Sequence, residues 1–157
     1  MNIDVEARAK AGVELFLQGY NCSQAVAMTF ADIYGISPTL MSRLAASFGG
    51  GIGRMRETCG SACGMFLLAG LETGKDLENP YPSAALKKQN YEAVQQLAAA
   101  FKATNGSLLC RELLGGTAST LPTPDERNVH YYSTRPCARM VETAIRIYCK
   151  YLEELSR

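Results

Sequence analysis

The stretch Phe48-Gly49-Gly50-Gly51-Ile52-Gly53-Arg54 places four glycines within five residues. Each glycine in a helix interior costs about 1 kcal/mol relative to alanine, which rules out a regular helix here. The chain has to turn at this point, and the segments on either side carry helical patterning.

Val5–Leu17 has apolar residues at Val5, Ala9, Val13, Leu15, Phe16 and Leu17, an approximately helical spacing that Gly19 stops. Asn21 reads as the N-cap of a second helix from Cys22 to about Tyr34, ended by Gly35. Ser37-Pro38 opens a third, with serine as cap and proline at the first helical position. After the glycine loop, Cys59 leads into a buried helix through Met65–Leu71. Tyr81-Pro82-Ser83 begins a long helix from about Ala84 to Thr104, which Asn105-Gly106 ends. A short helical turn follows at Cys110–Leu114. Residues 117–134 hold Pro122 and Pro124 and read as a long surface loop, a kind that is uncommon and often functional. Pro136 opens the last helix. No alternation marks a strand. The expectation is a single all-α domain over residues 1–157, a bundle of six or seven helices.

The chain carries 16 basic and 15 acidic side chains, a net charge of +1, so neither nucleic acid nor an anionic membrane is expected as a partner. The longest apolar run, near Gly64–Leu71, is far too short to cross a bilayer. The first ten residues carry charges of both signs where a signal peptide needs a basic start and an apolar stretch, so the expected compartment is the cytoplasm. In a reducing compartment, six cysteines point to metal binding or thiol chemistry rather than to a disulfide framework.

Four of those cysteines share one local setting. Cys22, Cys59, Cys110 and Cys137 each stand at an expected helix start. A helix N-terminus offers free N–H groups and partial positive charge, which favour the thiolate, the form that attacks and ligates. Arg54 and Arg56 precede Cys59, Arg111 follows Cys110, and Arg135 and Arg139 flank Cys137, so a further lowering of the thiol pKa values is expected. The separations are 37, 51 and 27 residues and there is no Cys-x-x-Cys pair, so only tertiary folding can assemble a centre. Cys59 and Cys63 are four apart and share a helical face. Cys63 reads either as a partner of Cys59 in metal sharing or disulfide exchange, or as a packing residue beside Gly64. Cys149 lies within a regular helix and reads as structural. The lone histidine, His130, reads as a solvated loop residue.

Taken in order, Gly19-Tyr20-Asn21-Cys22-Ser23-Gln24-Ala25-Val26, the glycine loop, Cys59-Gly60-Ser61-Ala62-Cys63-Gly64, Cys110-Arg111-Glu112-Leu113-Leu114-Gly115 and Cys137 resemble the C_GCAxxG_C_C family of redox-active proteins. The resemblance spans roughly residues 10–150. It implies a redox role for Cys22, Cys59, Cys110 and Cys137. A related segment of split-Soret cytochromes implies an iron–sulfur or similar cofactor. The central motif here, Cys-Gly-Ser-Ala-Cys-Gly, departs from the literal family pattern, and Cys63 and Cys149 are additions to it.

Three functions are therefore weighed. The first is a redox-active centre in which Cys22, Cys59, Cys110 and Cys137 ligate a metal, iron–sulfur ahead of zinc, for electron transfer or redox sensing. Gly50, Gly51, Gly60, Ser61 and Gly64 would then make room for an inorganic core and donate N–H groups to it, and an electron-transfer partner is implied. The second is metal-free thiol–disulfide exchange, with Cys59 as nucleophile and Cys63 or Cys22 resolving; an enzyme of this kind would be an oxidoreductase. The third is a non-catalytic helical scaffold with structural cysteines. A homodimer through the long amphipathic helix 84–104 is a further expectation.

Overall fold

Local capping sets where most of the helices begin. In the computed structural model, which describes residues 1–78, 83–116 and 118–157, α1 (Val5–Leu17) starts at Asp4, whose carboxylate accepts from the Ala7 N–H at 2.9 Å. α2 (Cys22–Met28) starts at Asn21 in a capping box. The Asn21 side chain accepts from the Gln24 N–H at 2.9 Å, and the Gln24 side chain accepts from the Asn21 N–H at 3.0 Å. α3 (Pro38–Ala45) is capped by Ser37, with proline at its first turn as expected. A 3-10 turn over Ala46–Phe48 then delivers the chain to the glycine loop. α4 (Gly60–Gly74) follows, and α5 (Ala84–Asn105) is capped by Ser83 and closed by Gly106 at φ 91°. Tyr81 and Pro82, expected to help open α5, lie outside the described residues. α6 (Cys110–Leu113), α7 (Val129–Thr134) and α8 (Cys137–Leu155) complete the all-α architecture.

Two elements differ from expectation. α2 stops at Met28 rather than near Tyr34. Thr29 turns its hydroxyl back onto the Ala25 carbonyl at 2.8 Å, and the next N–H groups bond three residues back in tighter turns until Gly35. The expected loop 117–134 contains a helix of its own, α7, because Asn128 accepts from the Tyr131 N–H at 2.9 Å and starts it. With α7 the described residues form eight α-helices rather than six or seven.

α4 and α8 form the centre of the bundle. α8 packs along α1, α2, α4 and α5, burying Val141, Ala144, Ile145, Tyr148 and Leu152 on one stripe. α4 buries its first six residues, Gly60 to Met65. Its Gly64 rests on the Val26 side chain and the Ser23 carbonyl of α2, so the two helices approach as closely as a missing Cβ permits. Each large side chain buried here, such as Phe16, Phe30, Phe101 and Tyr148, contributes about 1.5–3 kcal/mol from burial alone. No described helix is long and apolar enough to cross a membrane.

Candidate functional site

The site is built by the turns that precede helices. The glycine loop is wound in an unusual sense. Gly50, Gly51, Ile52, Gly53 and Arg54 all have positive φ, between 57° and 71°, and Arg56 adds another at 60°. Left-handed geometry costs an L-residue roughly 1–2 kcal/mol, so Ile52, Arg54 and Arg56 are strained positions. The coil is closed by long-span bonds, from the Arg56 N–H to the Gly50 carbonyl at 3.2 Å and from the Glu57 N–H to the Gly51 carbonyl at 2.9 Å. A Cβ on Gly51 would stand 2.6 Å from the Cys110 Cβ, so the loop lies directly against α6.

Beyond the loop, the chain forms one antiparallel bridge, Thr58 opposite Leu109. The Cys59 N–H donates to the Leu108 carbonyl and the Cys110 N–H to the Glu57 carbonyl, each at 2.7 Å. Two cysteines 51 positions apart in sequence thereby become neighbours.

Cys22, Cys59, Cys110 and Cys137, expected to act together, all line one cavity of about 380 Å³. Cys22, Cys110 and Cys137 are the first residues of α2, α6 and α8, and Cys59 is the N-cap of α4. Gly50, Gly60 and Ser61 also line the cavity, and a Cβ on Gly60 would collide with the Cys22 sulfur. Gly51 packs behind Cys110, and Gly64 against α2. Cys63 points elsewhere, its Sγ 3.8 Å from the Thr58 carbonyl, and does not line the cavity. Cys149 is fully buried in α8. His130 is exposed on α7. All six cysteines are free thiols.

The expectation that helix ends and arginines lower the thiol pKa values is corrected by burial at Cys22, Cys59 and Cys137. Burial pushes the Cys59 thiol well above its ordinary range, and Cys22 adds to the rise, while the Ser61 and Ala62 backbone N–H groups pull it partly back. Cys22 is also raised by burial, against the Gly50 N–H. Burial pushes Cys137 up to about 11, with Cys22 adding to the rise and the Tyr131 hydroxyl opposing it, and Cys63 up to about 12. Desolvation outweighs the N–H groups. Cys22 and Cys110 each disfavour charge on Cys59 and Cys137, so multiple thiolates need a cation among them.

A cationic wall faces these sulfurs. Arg54, Arg56, Arg127 and Arg135 line the cavity with a single carboxylate, Asp125. Asp125 lies 3.1 Å from Arg54, 3.0 Å from Arg135 and 3.8 Å from Arg56. Arg56 also places Nη1 3.7 Å from the Cys110 sulfur and donates from Nε to the Ser119 carbonyl at 2.9 Å. Arg54 donates to the Leu121 carbonyl at 2.6 Å, and Arg127 to the Phe16 and Tyr20 carbonyls at 2.7 and 3.1 Å while stacking 4.1 Å over the Phe16 ring. These bonds strap residues 119–127 across the cavity. Asp125 and Arg127 were not singled out in the sequence; the only signal was the length of the loop that carries them.

A single metal ion and a cluster make different demands on this donor set. A tetrahedral zinc site gathers its sulfurs about 2.3 Å from one ion. Among the described residues, no three His, Cys, Asp or Glu side chains close on such a point. Cys22, Cys59, Cys110 and Cys137, spread around one cavity of about 380 Å³, are the thiols present there that could serve a metal centre.

The model of one protein family, described as "Putative redox-active protein (C_GCAxxG_C_C)", matches residues 20–151. No curated protein and no solved structure matches the chain.

Proposed function

Because the chain belongs to the C_GCAxxG_C_C family of redox-active proteins, we propose that its redox activity resides in Cys22, Cys59, Cys110 and Cys137, which ligate an iron–sulfur cluster for electron transfer or redox sensing. The observation that carries this reading is the gathering of four cysteines, from four separate regions of the chain, around one cavity.

Each feature of the cavity has a part in it. The four sulfurs are the ligands. The Ser61 and Ala62 N–H groups favour negative charge on the Cys59 sulfur, and the Gly50 N–H favours it on Cys22. Phe16, Leu113, Leu114 and Met140 keep water from the centre. The arginine wall favours whichever redox state carries more negative charge, and so raises the tendency to accept an electron. A bound cluster supplies a one-electron couple. The partner is then an electron donor or acceptor, and the cytoplasm is the proposed compartment, because its reducing pool keeps such thiols free.

Anaerobic reconstitution of the full chain with ferrous iron and sulfide tests this. The expected result is a brown protein with broad visible absorbance that bleaches on reduction, and with stoichiometric iron and acid-labile sulfide. A colourless, iron-free protein whose thiols cycle reversibly with an oxidant would overturn it in favour of thiol–disulfide exchange.

A further inference from the structure

We infer that the cysteine cavity also contains a binding subsite for a small oxyanion, with Arg56 Nη2 and Ser61 Oγ as its donors. Both residues line the cavity, and both atoms are buried without a hydrogen-bond partner. Arg56 is 5% exposed and Ser61 0%, so a partner for these atoms has to sit within the cavity itself. A buried donor left unpaired is costly and rare in a folded chain, and two in one cavity mark a place for an acceptor.

The surrounding charge fits an anion. One carboxylate, Asp125, is shared among Arg54, Arg56 and Arg135 and cannot balance all three. Arg127 directs two of its N–H donors to the Phe16 and Tyr20 carbonyls and adds its charge to the cavity wall. Arg56 has committed Nε to Ser119 and Nη1 to Cys110; its Nη2 stands 3.8 Å from the nearest Asp125 oxygen, beyond hydrogen-bond reach, so its N–H donors are left unpaired beside a partly neutralising carboxylate. The apolar lining, Leu113, Leu114, Pro122 and Pro124 among it, lowers the local dielectric and strengthens any ion pair formed there. An oxyanion presents several acceptor oxygens to a guanidinium and a hydroxyl at once.

The inference does not rest on the metal reading, and its test uses the full chain with metal removed. Inorganic phosphate and sulfate are titrated calorimetrically into chelator-treated, reduced protein at fixed ionic strength. The expected result is one site per chain, with affinity lowered about tenfold or more in both Arg56→Gln and Ser61→Ala and unchanged in Lys88→Gln on the exposed face of α5. Ser61→Ala removes a hydroxyl that has no partner in the protein, so it keeps the fold even if Arg56→Gln, which gives up the bond to Ser119, does not. Absence of binding by both anions, or binding indifferent to Ser61→Ala, would overturn the subsite. So would an Arg56→Gln variant whose iron-loaded spectrum changes while the metal-free wild-type chain binds no anion, since Arg56 would then serve the cysteine centre alone. Failure of iron loading leaves the anion result standing.

Discussion

Thr58 and Leu109 face each other across a one-residue antiparallel bridge, and this contact, rather than any helix packing, sets Cys59 beside Cys110. The glycine loop backs the same bridge, because Gly51 accepts the Glu57 N–H while leaving no room for a Cβ beside Cys110. Gly51→Ala should therefore destabilise the protein by about 1–3 kcal/mol, through the strained φ and the forced shift of α6. It should also lower iron loading relative to wild type. Denaturant unfolding and iron analysis of the one variant check both effects.

Gly60→Ala addresses the cradle itself. Its Cβ collides with the Cys22 sulfur and stands 2.7 Å from the Phe48 carbonyl oxygen, so the expected outcome is a protein with a lower unfolding midpoint and a several-fold lower iron content after reconstitution. Iron content equal to wild type would mean that the Cys22 sulfur is free to move away without loss.

A second polar cluster lies apart from the cysteines and tests the packing of α8. Tyr148, fully buried, donates its hydroxyl to Tyr34 at 2.6 Å, and Tyr34 donates onward to Glu72 at 2.9 Å. Tyr148→Phe leaves Tyr34 paired to Glu72 and should cost about 1 kcal/mol. Tyr34→Phe strands the Tyr148 hydroxyl in the core and should cost more, about 1–3 kcal/mol. The order of the two unfolding midpoints is the readout.

Asp125 gives the account a pH dependence. Arg54 first, then Arg135 and Arg56, hold its carboxyl below the usual range, despite an opposing contribution from burial. A depressed folded pKa contributes stability that is present above the unfolded value, about 4, and is lost as pH falls through the folded value. Wild type should therefore exceed Asp125→Asn in stability at pH 7, with the gap closing in strongly acid solution. Limited proteolysis within residues 119–127 should rise in Asp125→Asn at neutral pH. A stability gap that does not change with pH would remove Asp125 from the strap.

Much of this was legible locally. Asn21, Ser37, Ser83 and Gly106 act through bonds to their own neighbours, so the residue type alone places a helix end. The placing of cysteines at helix starts was visible for the same reason. What could not be read depends on distant partners. α2 ends at Met28 because Thr29 turns back on Ala25 and a tight turn wins over continued helix, although the apolar pattern runs on. The positive φ values at Ile52, Arg54 and Arg56 are imposed by closure of the loop, not by their side chains. Helix ends act locally and favour the thiolate, whereas the desolvation that raises the Cys59 and Cys137 thiols is set by the whole fold. Asp125 and Arg127 gain meaning only when the loop crosses the cavity.

The most direct measurement is iron and acid-labile sulfide per chain across six single Cys→Ser variants reconstituted side by side. The account predicts strong loss at Cys22, Cys59, Cys110 and Cys137, whose thiols line the cavity, and near wild-type loading at Cys63 and Cys149, whose thiols do not. Loss at Cys63 or Cys149 matching that at the other four, or full loading in Cys22→Ser and Cys137→Ser, would contradict it.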